Sequence, residues 1–369
     1  MNDTQSLQKK DCLNLRIDGD SLKGSFVNTM KNNSHLELNK EYVVPGEEEL
    51  IKKVAELLRS RLEKTYLTGT MYRDTHAKGH TLVRGEFTIE PALPEELRVG
   101  LFKEARSYPC WIRFANTSPT PSPDIKPDIR SMSLKLMGVE GRMLWQSEED
   151  AKTLDIIMMG SEIFLAPDLQ QFYDMEVAFD KGRISTAKFF LTHPRIALTI
   201  ATRFQKCANV LEVPYGSETA YLFGDRAVQY RIRPHQAAVS TVPRHPTTNY
   251  LRERLIEHLA HADASFDFMV QFQTDPYKMP IENPMVAWPE ALSPFRKVAT
   301  IRLPSQNCDT PERAEFCEHI SFNPWRTLPE HRPIGGINRA RKEVYPVISE
   351  FRHRRNNVPQ REPRAEDNF

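Results

Sequence analysis

The sequence predicts an α+β chain built on an antiparallel sheet or barrel, with helices inserted between the strands. Two patterns carry this expectation. Segments around Trp111–Ala115, Met132–Leu136, Val228–Ile232, Phe266–Phe272 and Ala299–Leu303 alternate at period two, as strands with one buried face do. The helical stretches between them do not alternate one for one with the strands, which argues against an open doubly wound sheet. No repeat, low-complexity tract or linker divides residues 65–355, so one domain is expected.

Residues 1–44 are polar and aperiodic and read as an N-terminal arm. Pro45 and Gly46 punctuate the chain. Three glutamates then open a helix from about Glu47 to Lys64, with Leu50, Val54, Leu58 and Leu62 on one face. A strand-like run follows from Thr81 to Glu90. On the next strand Trp111, Arg113 and Ala115 share one face, and Ile112 and Phe114 the other. Helices are expected at Leu169–Lys181, Ile184–Ala208 and Thr248–His261, where Leu251, Leu255 and Leu259 mark a buried side. A last helix runs from Gly336 to Arg352. The main domain is placed at 45–357 and a charged tail at 358–369, loose from Arg361 to Phe369.

Composition removes several classes of function. Fifty Lys and Arg against 49 Asp and Glu leave a net charge of +1, which gives no ground for a nucleic-acid partner or an anionic-membrane surface. No GxGxxG, GxxxxGK[ST], HExxH or CxxC occurs, so the common nucleotide and zinc motifs are missing. Five widely spaced cysteines, an odd number, suit reduced thiols and a cytoplasmic setting. The most apolar region, Ala187–Phe204, is broken by Lys188, His193, Pro194, Arg195 and Arg203, so no transmembrane segment is expected. The start of the chain does not read as a signal peptide.

Two short patterns carry chemistry. In the last helix, Arg341 and Tyr345 stand one turn apart and Arg352 lies seven residues further, all on one side. A guanidinium beside a phenol favours the phenolate, and a phenolate is the ligand that holds iron in catalases. Pro346 frees the carbonyl of Lys342 and should bend the helix. Upstream, Arg73-Asp-Thr-His-Ala-Lys-Gly79 runs directly into a strand.

Together these segments resemble the haem catalases. The run Arg73–Gly79 is similar to the element bearing their distal histidine. Trp111–Ala115 is similar to their R-F-S strand, and Asp155–Phe172 to their distal asparagine and phenylalanine segment. Arg341-x-x-x-Tyr345-Pro346 with Arg352 is similar to their proximal ligand helix. The wording of Phe322–Trp325, Ile337–Arg341 and Ala287–Glu290 resembles a short catalase-related branch, which includes allene oxide synthase-type enzymes and small peroxidases. The resemblance implies a catalase-like antiparallel β-barrel with added helices around a buried haem b with ferric iron. It also implies Tyr345 as iron ligand, Arg341 stabilising its phenolate, and Arg73, Arg113 and Arg352 against the haem propionates. His76 becomes the acid/base, Thr75 its neighbour in catalysis, and Phe172, four residues after Asp168, either a ring on the porphyrin or helix core.

Three positions depart from the family. Thr75 replaces an apolar β-branched residue and could hold the imidazole or order a ligand on iron. Gly160 falls where the distal asparagine belongs, leaving a wider pocket unless Ser161 substitutes. Ala115 replaces the serine that orients the histidine. The implied function is cleavage of a peroxide O–O bond, with an organic or lipid hydroperoxide favoured over hydrogen peroxide. A hydroperoxide dehydratase or isomerase and a non-catalytic haem-binding protein remain alternatives. A homo-oligomer is left open.

Overall fold

A computed structural model describes residues 35–145, 151–364 and 367. The arm expected over 1–44 lies outside the described residues up to residue 34, as does Cys12. Described elements run in the order α1 (Glu47–Thr65), β1 (Gly79–Ile89), β2 (Ser107–Asn116), β3 (Arg130–Met137) and β4 (Thr153–Met159). Helices α2 (Leu169–Asp180), α3 (Arg183–Thr192) and α4 (Pro194–Arg203) follow, then β5 (Tyr215–Gly216), β6 (Tyr221–Phe223) and β7 (Arg226–Pro234). The chain ends with α5 (Tyr250–His261), β8 (Ala264–Phe272), β9 (Arg296–Leu303), α6 (Pro311–His319) and α7 (Gly336–Asn356).

All strand pairings are antiparallel, and the sheet closes. Its order is β5-β4-β3-β2-β1-β9-β8-β7, and β7 pairs back with β5 through Tyr215↔Ile232, while β6 adds to β7. The result is the expected α+β barrel with added helices, and closure leaves eight strands without a free edge. The stripes read from the sequence meet inside it: Ile112 and Phe114, Met132 to Leu136, Val228 to Ile232, and Phe266 to Phe272 belong to one buried cluster. Phe268 packs 5.2 Å from both Phe87 and Tyr230, ring centre to ring centre. The opposite face of β2 is buried as well, with Trp111 6.2 Å from Phe316 on α6. A barrel strand buried on both faces is what lets β2 present Arg113 to the helical layer.

Two expectations are corrected, and three elements went unread. The stretch Ile184–Ala208 is two helices rather than one, because Pro194 has no amide to continue α3 and instead opens α4 at its first position. Helix α6 and the short strands β5 and β6 carry no periodic signal long enough to read. The tail is not loose at Glu362: Lys135 Nζ lies 2.6 Å from both Asp155 and Glu362, and Arg326 lies 2.9 Å from Glu362. Two fully buried cations need a second carboxylate, and the tail supplies it. Removing one partner from such a group costs about 3–5 kcal/mol. At the other end, Glu41 pairs with Arg332 and Arg339, each at 2.7 Å.

Beneath the barrel rings His331 accepts the Leu101 amide on Nε2 at 3.0 Å, which only a neutral imidazole can do. Burial pushes its pKa down to about 4, against partial compensation from backbone contacts. Because the folded value lies below the unfolded one, the unfolded chain takes the proton first. Stability is therefore full above about pH 6.5 and is lost as pH falls towards 4. Urea unfolding across that range checks this: His331→Asn should flatten the slope, and an unchanged slope would remove His331 as a contributor.

Candidate functional site

The segment leading into β1 is strapped to the far end of β2. The His76 amide donates to Thr117 O at 3.1 Å, Ala77 to Ser118 O at 3.3 Å, and Asn116 to Lys78 O at 3.0 Å. These bonds hold His76 at a positive φ of 62°, a left-handed conformation that histidine adopts more readily than most residues. Gly79 is glycine for space: a Cβ there would lie 2.8 Å from Arg113 Nη2 and 2.9 Å from Cys317 Sγ. The chain turns into β1 directly against a guanidinium.

Arg73, Arg113 and Arg352 converge on the C-terminal end of α6. Arg73 and Arg113 both donate to the Cys317 carbonyl at 3.2 Å, Arg73 also donates to Ile320 O, and Arg352 donates to Glu318 O at 2.6 Å. Helix C-terminal carbonyls carry partial negative charge, which favours cations. Among the described residues the carboxylate that pairs with them is Glu318, 3.6 Å from Arg73 and 4.0 Å from Arg113. Burial, then the charges of Arg113 and Arg352, drive the Arg73 pKa well down. Arg352 is lowered to about 10 by burial and by Arg113, against the pull of Glu318. Arg73 Nη1 is buried with no hydrogen-bond partner. Three guanidiniums against one carboxylate form a buried, net positive cradle that favours an anionic ligand.

His76 sits beside this cradle, its carbonyl accepting Arg113 Nη2 at 3.0 Å. Its pKa falls to about 3, through burial first and then the charges of Arg113, Arg73 and Arg341. The ring is neutral at ordinary pH and able to accept a proton. Its Nδ1 is buried without a partner. Thr75 does not supply the missing bond: it is exposed, and its hydroxyl has no hydrogen-bond partner among the described residues.

On α7, Arg341 is buried between Thr219 Oγ1 at 3.3 Å, Asn338 Oδ1 at 3.2 Å and Glu218 at 4.0 Å. Burial lowers its pKa, but Tyr345, Tyr221 and Glu218 outweigh burial and the net shift is upward. Tyr345 is half-buried one turn along, and its hydroxyl makes no hydrogen bond among the described residues. Glu218 is held at a positive φ of 57°, and burial, offset in part by Arg341, pushes its pKa up to about 8. Phe172 packs 5.4 Å from Phe164, in a cluster shared with Val344 and Ile348 of α7. The Arg341 guanidinium lies 5.7 Å from that same Phe164 ring. Asp168 caps α2 by accepting the Gln171 amide at 2.8 Å.

The structure thus brings Arg73, His76, Arg113, Arg341, Tyr345 and Arg352 to one region, with Phe172 joined to it through Phe164. Two expectations fail. Gly160 opens no pocket, because its Cβ direction is filled by Val213 Cγ1 at 3.1 Å and Arg130 O at 3.3 Å. Ser161 does not stand in for an amide, since its hydroxyl is spent on Ile163 O at 2.7 Å within its own turn. Glu318 and Glu218 escaped the sequence reading; neither lies in a periodic or motif-bearing stretch.

No protein-family model and no curated protein matches this sequence. Solved structures do match. A fungal catalase superposes with a TM-score of 0.62 at 18% identity, covering 87% of this chain and 66% of its own. Catalase A from Saccharomyces cerevisiae gives 0.63 at 19%, covering 87% and 68%. A bacterial catalase gives 0.63 at 16%, covering 89% and 67%. The fold is catalase-like. The chain spans about two thirds of the length of those catalases.

Packing at Gly160 gives a direct check of the site's geometry. Gly160→Ala should cost about 1–3 kcal/mol, as overpacking does. Val213→Ala in the same chain should recover part of that loss in urea titrations. A neutral Gly160→Ala would mean that the space beside β4 is open after all.

Proposed function

We propose that this chain is a haem-dependent enzyme of the short catalase-related kind that cleaves the O–O bond of organic or lipid hydroperoxides. The observation that carries the proposal is the cradle of Arg73, Arg113 and Arg352, net positive and buried beside a neutral histidine. Haem b, with two propionates and ferric iron, matches its charge and would supply redox chemistry at the metal. Tyr345 would ligate the iron, with the Arg341 guanidinium one turn away lending its positive charge beside that ligand. Phe172 would pack on the porphyrin side of α2.

His76 has the protonation state the reaction needs. Neutral, its ring could take the proton of an incoming hydroperoxide and return it to the departing oxygen. The Thr75 hydroxyl, engaged by no protein group, is available to the bound substrate. Hydrogen peroxide is disfavoured because nothing holds His76 Nδ1 and no amide stands at Gly160. A rearranging or dehydrating outcome uses the same residues. Four described cysteines are buried and free, which suits a reducing, cytoplasmic setting.

A second reading, a haem carrier without catalysis, draws on the same orphaned Nδ1. Turnover separates the two. Purified holoprotein should consume a fatty-acid hydroperoxide faster than hydrogen peroxide; loss of neither would leave a carrier. His76→Ala should keep its haem while turnover falls about 10²–10⁴-fold, the range for a positioned acid/base. An alanine variant of equal rate would make the histidine structural. Thr75→Val should shift the balance towards hydrogen peroxide by several-fold, since one hydrogen bond is worth about 0.5–1.5 kcal/mol. An unshifted ratio would take Thr75 out of the mechanism.

A further inference from the structure

Helix α3 is apolar on its outer side. Ile184, Ala187, Lys188 and Leu191 are all exposed and recur at i, i+3, i+4 and i+7, which places them on one face. Ile184 is 77% and Leu191 83% exposed, whereas the inner side offers Phe189 as its buried residue. Helix α4 continues the pattern after Pro194, with Leu198 at 64% exposure. Large aliphatic side chains this open to water are costly unless something covers them.

Charge says what covers them. Residues 181–211 contain six Lys and Arg and no Asp or Glu, in a chain whose net charge is only +1. Lys181, Arg183 and Lys188 are exposed and form no ion pair among the described residues, and Arg195 is also exposed. Arg203 is turned back to Glu162. Aliphatic residues interleaved with unneutralised cations match an acyl layer beneath anionic headgroups, where lysine and arginine stems reach up to phosphate. A protein partner would also need acids or shaped cavities to meet a flat aliphatic face.

We infer that α3 and α4 form a docking surface for an anionic lipid bilayer, lying on the interface rather than crossing it. No described helix is long and apolar enough to span one. The surface adjoins the candidate site: Met175, Phe189 and Ile196 seat these helices in the same cluster that Phe172 joins. Docking would bring the chain to the pool that holds lipid hydroperoxides. The argument uses no haem, so its failure leaves the reading of the site standing, and the converse also holds.

Co-sedimentation of the full chain tests it, using phosphatidylcholine vesicles with and without phosphatidylserine. Wild type should partition onto the phosphatidylserine vesicles and much less onto phosphatidylcholine alone, with binding weakened by added salt. Ile184→Ser with Leu191→Ser should lower partitioning at least about tenfold, as should Lys181→Ser with Lys188→Ser. These positions are exposed, so unchanged circular dichroism should accompany the loss. Absence of binding, or binding indifferent to both pairs, would overturn the inference. So would a wild-type dimer in sedimentation velocity that the Ile184/Leu191 pair turns into monomer, which would make the face a contact between copies.

Discussion

Three buried guanidiniums meeting at one helix end constrain everything around them. Arg73, Arg113 and Arg352 repel one another, and each is out of water. The α6 carbonyls of Cys317 and Glu318, with Ile320 just beyond, offset part of that cost, at about 0.3–2 kcal/mol per charge for a helix terminus. The Glu318 carboxylate offsets more. The remainder still favours an anion. To bring the three together, β2 must be buried on both faces, Gly79 must lack a side chain, and α7 must run long enough to carry Arg352 past Tyr345. The barrel can be read as the frame that makes this convergence affordable.

Much of that frame was legible because barrel interiors impose a strict period of two. Each stripe read from Ile112 to Leu303 ends in the same core, and the expected helix at Glu47–Lys64 runs one residue longer. What escaped the reading is short or non-periodic. Helix α6 spans nine residues and alternates no clear face, yet its carbonyls hold all three arginines. Break points escaped as well: the amide missing at Pro194 outweighed continuous apolar periodicity. At the site, residue types in a motif could be assigned to a region, but not the space around them. Gly160 looked like an opening, and only its contact with Val213 reveals packed wall.

The distal side combines order and slack. Backbone bonds to Thr117 and Ser118 fix where His76 stands, while its Nδ1 has no hydrogen-bond partner among the described residues. A histidine placed by its backbone but unrestrained at the ring tolerates a bulky partner better than it orients a small one. On the proposed function, this would favour a hydroperoxide with a carbon chain. The aliphatic, basic face of α3 and α4, if it docks on a bilayer as inferred, would bring the chain to substrates of that kind.

The central claim is that Tyr345 and the arginine cradle hold haem through iron. Titration of the haem-free protein with hemin, followed by visible absorption, tests it in wild type and Tyr345→Phe. The account predicts saturable binding by wild type with a ferric, high-spin, tyrosinate-ligated spectrum, and loss of that spectrum in the phenylalanine variant. An identical spectrum in both, or no saturable binding by wild type, would contradict it.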